Sequence, residues 1–152
     1  MNKKIILSIL NIITLCIVIT AVSIFFINDT NWMGYILVAL SFLCLISLIP
    51  FKINLKSVLP DISFGLIDNG ILAILAIFGA HFAGVAGAII GGVVGNAITD
   101  GIAGIFEGKL SEKLRQRFIP EERTMLKSAV GKMAGCLFGA GIVLIIESII
   151  KF

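Results

Sequence analysis

Long apolar runs separated by short polar breaks set the pattern of this chain. The first run, Ile5 to Ile27, carries no charge. About 20 such residues are what a helix needs to cross a hydrocarbon layer about 30 Å thick, so the run predicts a membrane span. Lys3-Lys4 ahead of it and Ala21-Val22-Ser23 within it are features of a signal peptide, but the run is too long for a signal h-region and reads as mature structure. The break Asn28-Asp29-Thr30-Asn31 leads to Trp32 and Tyr35, amphipathic rings that favour the membrane interface, and to a second span from about Met33 to Ile49. Together they predict a transmembrane hairpin over residues 1–50.

Residues 51–152 predict a three-span core. Pro50 and Pro60 bracket the basic connector Phe51-Lys52-Ile53-Asn54-Leu55-Lys56 and disfavour one continuous helix through it. A third span runs from about Asp61 to Phe82, His81 and Gly84 mark a turn, and a glycine-rich fourth span occupies about Val85 to Phe106. A basic loop follows at 108–128, and Lys109 to Lys127 is the most charged stretch of the chain. In it Leu110, Leu114 and Phe118 fall at i, i+4, i+8 among Lys109, Lys113, Arg115 and Arg117, the pattern of an interfacial amphipathic helix; a solvated charged loop is the alternative. Pro120-Glu121-Glu122 has the features of a helix start, with proline in the first turn and acids at the positive dipole end, leading to a fifth span that ends near Ile150. The expected fold class is therefore an all-α integral membrane protein with about five transmembrane helices.

Composition agrees. Of 152 residues, 59% are hydrophobic and 14% charged, with a mean hydropathy of +1.12, which excludes a water-soluble core. The net charge of +3 is gathered into short segments, so it reports orientation in a bilayer and excludes a nucleic-acid footprint. With five spans and a cytoplasmic N-terminus, the inner side holds Lys3, Lys4, Lys52, Lys56, Lys109, Lys113, Arg115, Arg117, Arg123, Lys127 and Lys132, leaving only Lys151 outside. A four-span count breaks this agreement with the positive-inside rule. Cys16, Cys44 and Cys136 lie apart in apolar runs without a C-x-x-C, and read as small core residues.

Ionisable groups inside apolar helices cost several kcal/mol unless paired or hydrated, which makes Asp68, Asp100, Glu107 and Glu147 candidates, with His81 at a turn. Glu107 and Glu147 lie near span ends, where snorkelling suffices, and a lone imidazole is a poor metal site. Asp68 and Asp100 each fall about 10 to 12 Å from the same cytoplasmic boundary on spans of opposite direction. Asn69 adjoins the first, while Asn96 stands one turn from the second with Thr99 beside it, a set of hard oxygen ligands suited to Na⁺, Ca²⁺ or Mg²⁺. A cation between the carboxylates removes their repulsion; a shared proton is the competing solution. The expected metal-ligating residues are thus Asp68, Asn69, Asn96 and Asp100.

The flanks repeat weakly, Ile67-Asp68-Asn69-Gly70-Ile71 against Ile98-Thr99-Asp100-Gly101-Ile102, and would run in opposite directions, the pointer to an inverted-repeat transport site. Gly70 and Gly101 serve either local unwinding that exposes carbonyls or plain helix packing. Gly87, Gly91, Gly95 on the fourth span and Gly131, Gly135, Gly139 on the fifth are small residues every fourth position, a signal for tight helix contacts. Five short spans are few to enclose a path, so a homodimer through the glycine-rich helices is expected.

At Phe64-Gly65-Leu66-Ile67-Asp68-Asn69, Gly95-Asn96-Ala97-Ile98-Thr99-Asp100-Gly101-Ile102-Ala103-Gly104 and Gly131-Lys132-Met133-Ala134-Gly135-Cys136 the chain resembles the transmembrane protein 65 family, over roughly residues 61–152. Eukaryotic relatives reside in the mitochondrial inner membrane and are linked to sodium-dependent calcium export. The resemblance implies cation exchange, with Asp68, Asn69, Asn96 and Asp100 as the carried-over motif residues. Two departures stand out: the hairpin at about Ile5 to Ile49 replaces the eukaryotic leader region, and the Glu107 and Lys109 to Arg117 segment is more charged than the family's. Nothing resembles an Arg-rich transit peptide, so a bacterial inner (plasma) membrane is the expected location.

Three function classes follow. The first is a dimeric cation transporter, a sodium/calcium antiporter needing no resident cofactor beyond its transported cation. The second is a small regulatory or scaffolding membrane subunit of another transporter, with Asp68 and Asp100 as interhelical polar contacts. An enzyme is not expected, because no paired nucleophile and base is visible.

Overall fold

A computed structural model of the chain describes residues 3–117 and 124–150, and for residues 30, 103–104 and 106–117 the backbone alone. Four α-helices and no strand occur among the described residues: α1 (Lys3–Phe25), α2 (Thr30–Ile46), α3 (Leu59–Arg117) and α4 (Met125–Ile150). Each is long and apolar enough to cross a membrane. Helices suit a bilayer because they satisfy every backbone N–H and C=O within the segment.

The connector between α2 and α3 behaves as its prolines demand. It forms two 3₁₀ turns, Ile49–Phe51 and Leu55–Ser57, with Lys52 in the left-handed region at φ 54°. The Asn54 side chain accepts from the Lys56 N–H at 3.0 Å, and Pro60 sits in the first turn of α3, where its missing N–H costs no intrahelical bond. At α4, the Thr124 hydroxyl accepts from the Lys127 N–H at 3.4 Å. The expected start at Pro120-Glu121-Glu122 lies outside the described residues.

The chain divides into two compact units, Met1–Gly70 with Thr124–Phe152, and Ile71–Arg123. In the first, α2 and α4 are antiparallel: Gly34 lies against Ile145 and Gly141, Gly141 against Val38, and the Ser41 hydroxyl donates to the Ala134 carbonyl at 2.8 Å. Residues 59–70 instead run parallel to α4, because the contacts climb together: Asp61 at Gly131, Ile62 at Gly135, Leu66 at Gly139. The best-buried cluster is Leu15, Cys44, Leu48, Val58, Leu126, Val130 and Ala134. Cys44 is thus a core residue as expected, whereas Cys16 is exposed on α1 and Cys136 half-buried. Asn11 of α1 donates to the Ser47 hydroxyl at 3.2 Å.

In the second unit, α3 doubles back. Its only non-helical residues are Ala83 (φ −140°, ψ 25°) and Gly84 (φ 55°, ψ −133°), and glycine is the residue that adopts such a positive φ without a Cβ clash. The arms pack antiparallel, with Gly79 on Gly87, Leu75 on Gly91 and Leu72 against Gly95. A Cβ at Gly87, Gly91 or Gly135 would run into a backbone carbonyl of the neighbouring helix. The expected contact glycines therefore find packing partners within the chain.

The second arm stays helical through Arg117, so no separate interfacial helix begins near Lys109. Gly108 alone weakens a helix by about 1 kcal/mol and does not end it without a following proline or a left-handed cap. The side chains of Glu107, Leu110, Leu114 and Phe118 lie outside the described residues.

Candidate cation site

The four expected ligands fall two to each unit. In the first, Asp68 and Asn69 occupy α3 just before the boundary at Gly70, both half-buried. The Asn69 amide donates to an Asp68 carboxylate oxygen at 3.5 Å, the outer limit of a hydrogen bond. It also reaches the Cys136 thiol of α4, which lies within range of the charges of Asp68 and Lys132. The Lys132 ammonium stands 4.7 Å from the centre of the Phe64 ring. Gly65 makes this cluster possible: its missing Cβ lets α3 approach α4 until that position would be 2.6 Å from the Lys132 carbonyl oxygen and 2.8 Å from the Cys136 nitrogen.

In the second unit, the Asn96 amide donates to an Asp100 carboxylate oxygen at 2.9 Å, a well-formed bond across one helical turn. Thr99 is 4% exposed, and its hydroxyl donates to the Gly95 and Asn96 carbonyls at 3.1 Å each. These bonds turn the hydroxyl back onto its own helix. The carboxylate and amide are the outward-facing groups, since Asn96 and Asp100 are both exposed. An acceptor pair of this kind, one charged and one neutral oxygen, offers two of the roughly six to eight hard oxygens that Ca²⁺ takes.

Neither Gly70 nor Gly101 unwinds its helix; both keep helical backbone. They do not serve close packing either, because a Cβ at either meets no described atom within 4 Å. Single glycines leave the i to i−4 ladder intact, so carbonyl exposure does not follow from their presence alone. Among the described residues no three His, Cys, Asp or Glu side chains gather as metal ligands, so the donors are a carboxylate and an amide in each unit.

Two groupings escaped the sequence reading. Lys132 counts there only among the inner-side basic residues, yet it stands in α4 two turns beyond its start, against Phe64. Asp61 served only as a span boundary, but it is 4% exposed and accepts from the Ser128 hydroxyl at 3.2 Å, tying the start of α3 to that of α4. A charged residue bounded by small apolar ones, as in Gly131-Lys132-Met133-Ala134, was the available signal for the first. His81 lies exposed beside the fold-back, and Glu147 half-buried near the end of α4, in keeping with positions at span ends. Comparison with protein-family models, curated proteins and solved structures finds no match for the chain.

Proposed function

We propose that the protein is a membrane cation transporter of the sodium/calcium antiporter class, a bacterial member of the transmembrane protein 65 family, working as a homodimer in the plasma membrane with its N-terminus in the cytoplasm. The carrying observation is that an aspartate on an apolar helix is bonded to an asparagine amide in each unit, Asp68 with Asn69 and Asp100 with Asn96. Carboxylates at membrane depth are expensive and mark ion pathways, and an amide beside each supplies a second hard oxygen for a cation. In this reading the Asp68–Asn69 pair of the first unit and the Asn96–Asp100 pair of the second each bind Ca²⁺ or Na⁺ in turn while access alternates between the two sides.

Five crossings suit such a path. The parallel run of residues 59–70 beside α4 requires the chain to return between them, and the fold-back at Ala83–Gly84 provides the return. Both observations support a third and a fourth span within α3.

Flux by the purified chain alone tests the proposal. Liposomes containing it, loaded with a calcium-sensitive dye and given a sodium gradient, should show sodium-dependent calcium movement that Asp68→Asn and Asp100→Asn each abolish. A correctly inserted protein that moves no ion by itself is instead a regulatory subunit of another transporter.

A further inference from the structure

Lys132 carries a charge that the cation-transport reading leaves unused. It projects from α4 onto Phe64, and Cys136 stands one turn further along α4. Phe64 and Asp68 are likewise one turn apart on α3, about 5.4 Å along the axis. The two stripes face each other across the contact that Gly65 opens, all within one compact unit. A phenyl face attracts an ammonium, but more weakly than a carboxylate does once water is removed. A cation and an anion on facing stripes of the same two helices neutralise each other at lower cost than either alone in hydrocarbon.

We propose that Lys132 is a tethered counter-cation for Asp68, shared between the Phe64 face, where the structure places it, and the carboxylate one turn further along α3, from which a metal cation displaces it. Every cation approaching Asp68 then competes with the ammonium. Lys132 thereby sets the affinity of Asp68 for cations without being a ligand. This rests on the reading of Asp68 as a cation ligand, although the pairing itself does not require transport.

The test uses the purified full-length chain and calcium ions, with thermal melting as readout. In Lys132→Gln the competitor is gone, so half-maximal stabilisation by calcium should occur at about tenfold lower concentration than in the parent. Lys132→Arg, which keeps the charge, should stay within about twofold of the parent, a rescue that lost packing would not produce. An unchanged calcium midpoint in Lys132→Gln overturns the proposal and leaves Lys132 as a side chain snorkelling to the headgroups.

If calcium does not stabilise the parent at all, the cation-site reading fails by itself and an ion-free cycle decides the pairing. Asp68→Asn and Lys132→Gln should each lower the melting temperature, and the double variant should melt higher than the sum of the two losses. Additive losses overturn the pairing. Should Lys132→Gln not fold, the double variant, which buries no lone charge, must recover folding; its failure to do so overturns the proposal equally.

Discussion

At the scale of single residues, Asp68 and Asp100 differ in their bonds to the neighbouring asparagines. Asp100 has a 2.9 Å bond from Asn96 across a helical turn, while the Asp68 bond to its neighbour Asn69 is stretched to 3.5 Å because adjacent side chains on a helix diverge. Replacing either carboxylate by Asn keeps size and hydrogen-bonding capacity but removes the charge a cation needs. Calcium at about 100 times Kd should add about 2.7 kcal/mol to the parent and far less to Asp68→Asn or Asp100→Asn. Melting curves with calcium, magnesium, sodium and no added ion measure this; equal stabilisation in all three proteins takes both aspartates out of the site. The four polar residues stood out in the sequence because charge is rare in apolar runs. Lys132 did not, since its nearness to the start of the span made it look like one more topogenic lysine.

At the scale of elements, the glycines divide into two kinds that the sequence does not distinguish. Gly135 lies against the backbone of Ile62, so Gly135→Ala should push α3 and α4 apart and cost about 1 to 3 kcal/mol. At Gly101 a Cβ meets no described atom, and Gly101→Ala should stabilise by about 0.5 to 1 kcal/mol through helix propensity. The two shifts in melting temperature should have opposite signs. A loss at Gly101→Ala as large as that at Gly135→Ala would mean that a neighbouring subunit or an occupied site fills that space. Gly91→Leu, for its part, should disrupt the hairpin of α3 itself, because Gly91 packs on Leu75 of the same chain. The helices α1 and α2 and the end of α4 were legible within a few residues, and the fold-back at Ala83–Gly84 falls where His81 and Gly84 suggested a turn. The continuation of α3 to Arg117 was not, because a change from apolar to charged residues alters a helix's surroundings without breaking its backbone ladder.

At the scale of the whole molecule, the crossing number is the decisive quantity. Single cysteines in a cysteine-free background, labelled from outside intact cells by an impermeant reagent, should react at Asn28→Cys and His81→Cys and be protected at Asn54→Cys and Thr124→Cys. If α3 crosses once, position 81 lies mid-membrane and unlabelled while position 124 becomes reactive, which sinks the five-span topology. The parallel packing of residues 59–70 with α4 favours the first outcome, since consecutive single crossings can only be antiparallel.

What the sequence by itself determined is local: which stretches become helices in lipid and which breaks interrupt them. Each follows from the energy of one residue or one backbone group against its immediate solvent, so a linear reading suffices. Which faces meet was left to the tertiary structure. In a bilayer an isoleucine is as well solvated by lipid tails as by another helix, so apolar residues such as Ile67 or Val93 carry no signal of inside or outside, and both are exposed. Small residues mark a close approach without naming the partner: Gly34 finds Gly141, Gly79 finds Gly87, and Gly65 finds Lys132 and Cys136 only because the chain doubles back and brings residues 59–70 parallel to α4. The neighbourhood of Asp68, including the lysine that faces its helix, is a product of that path through space.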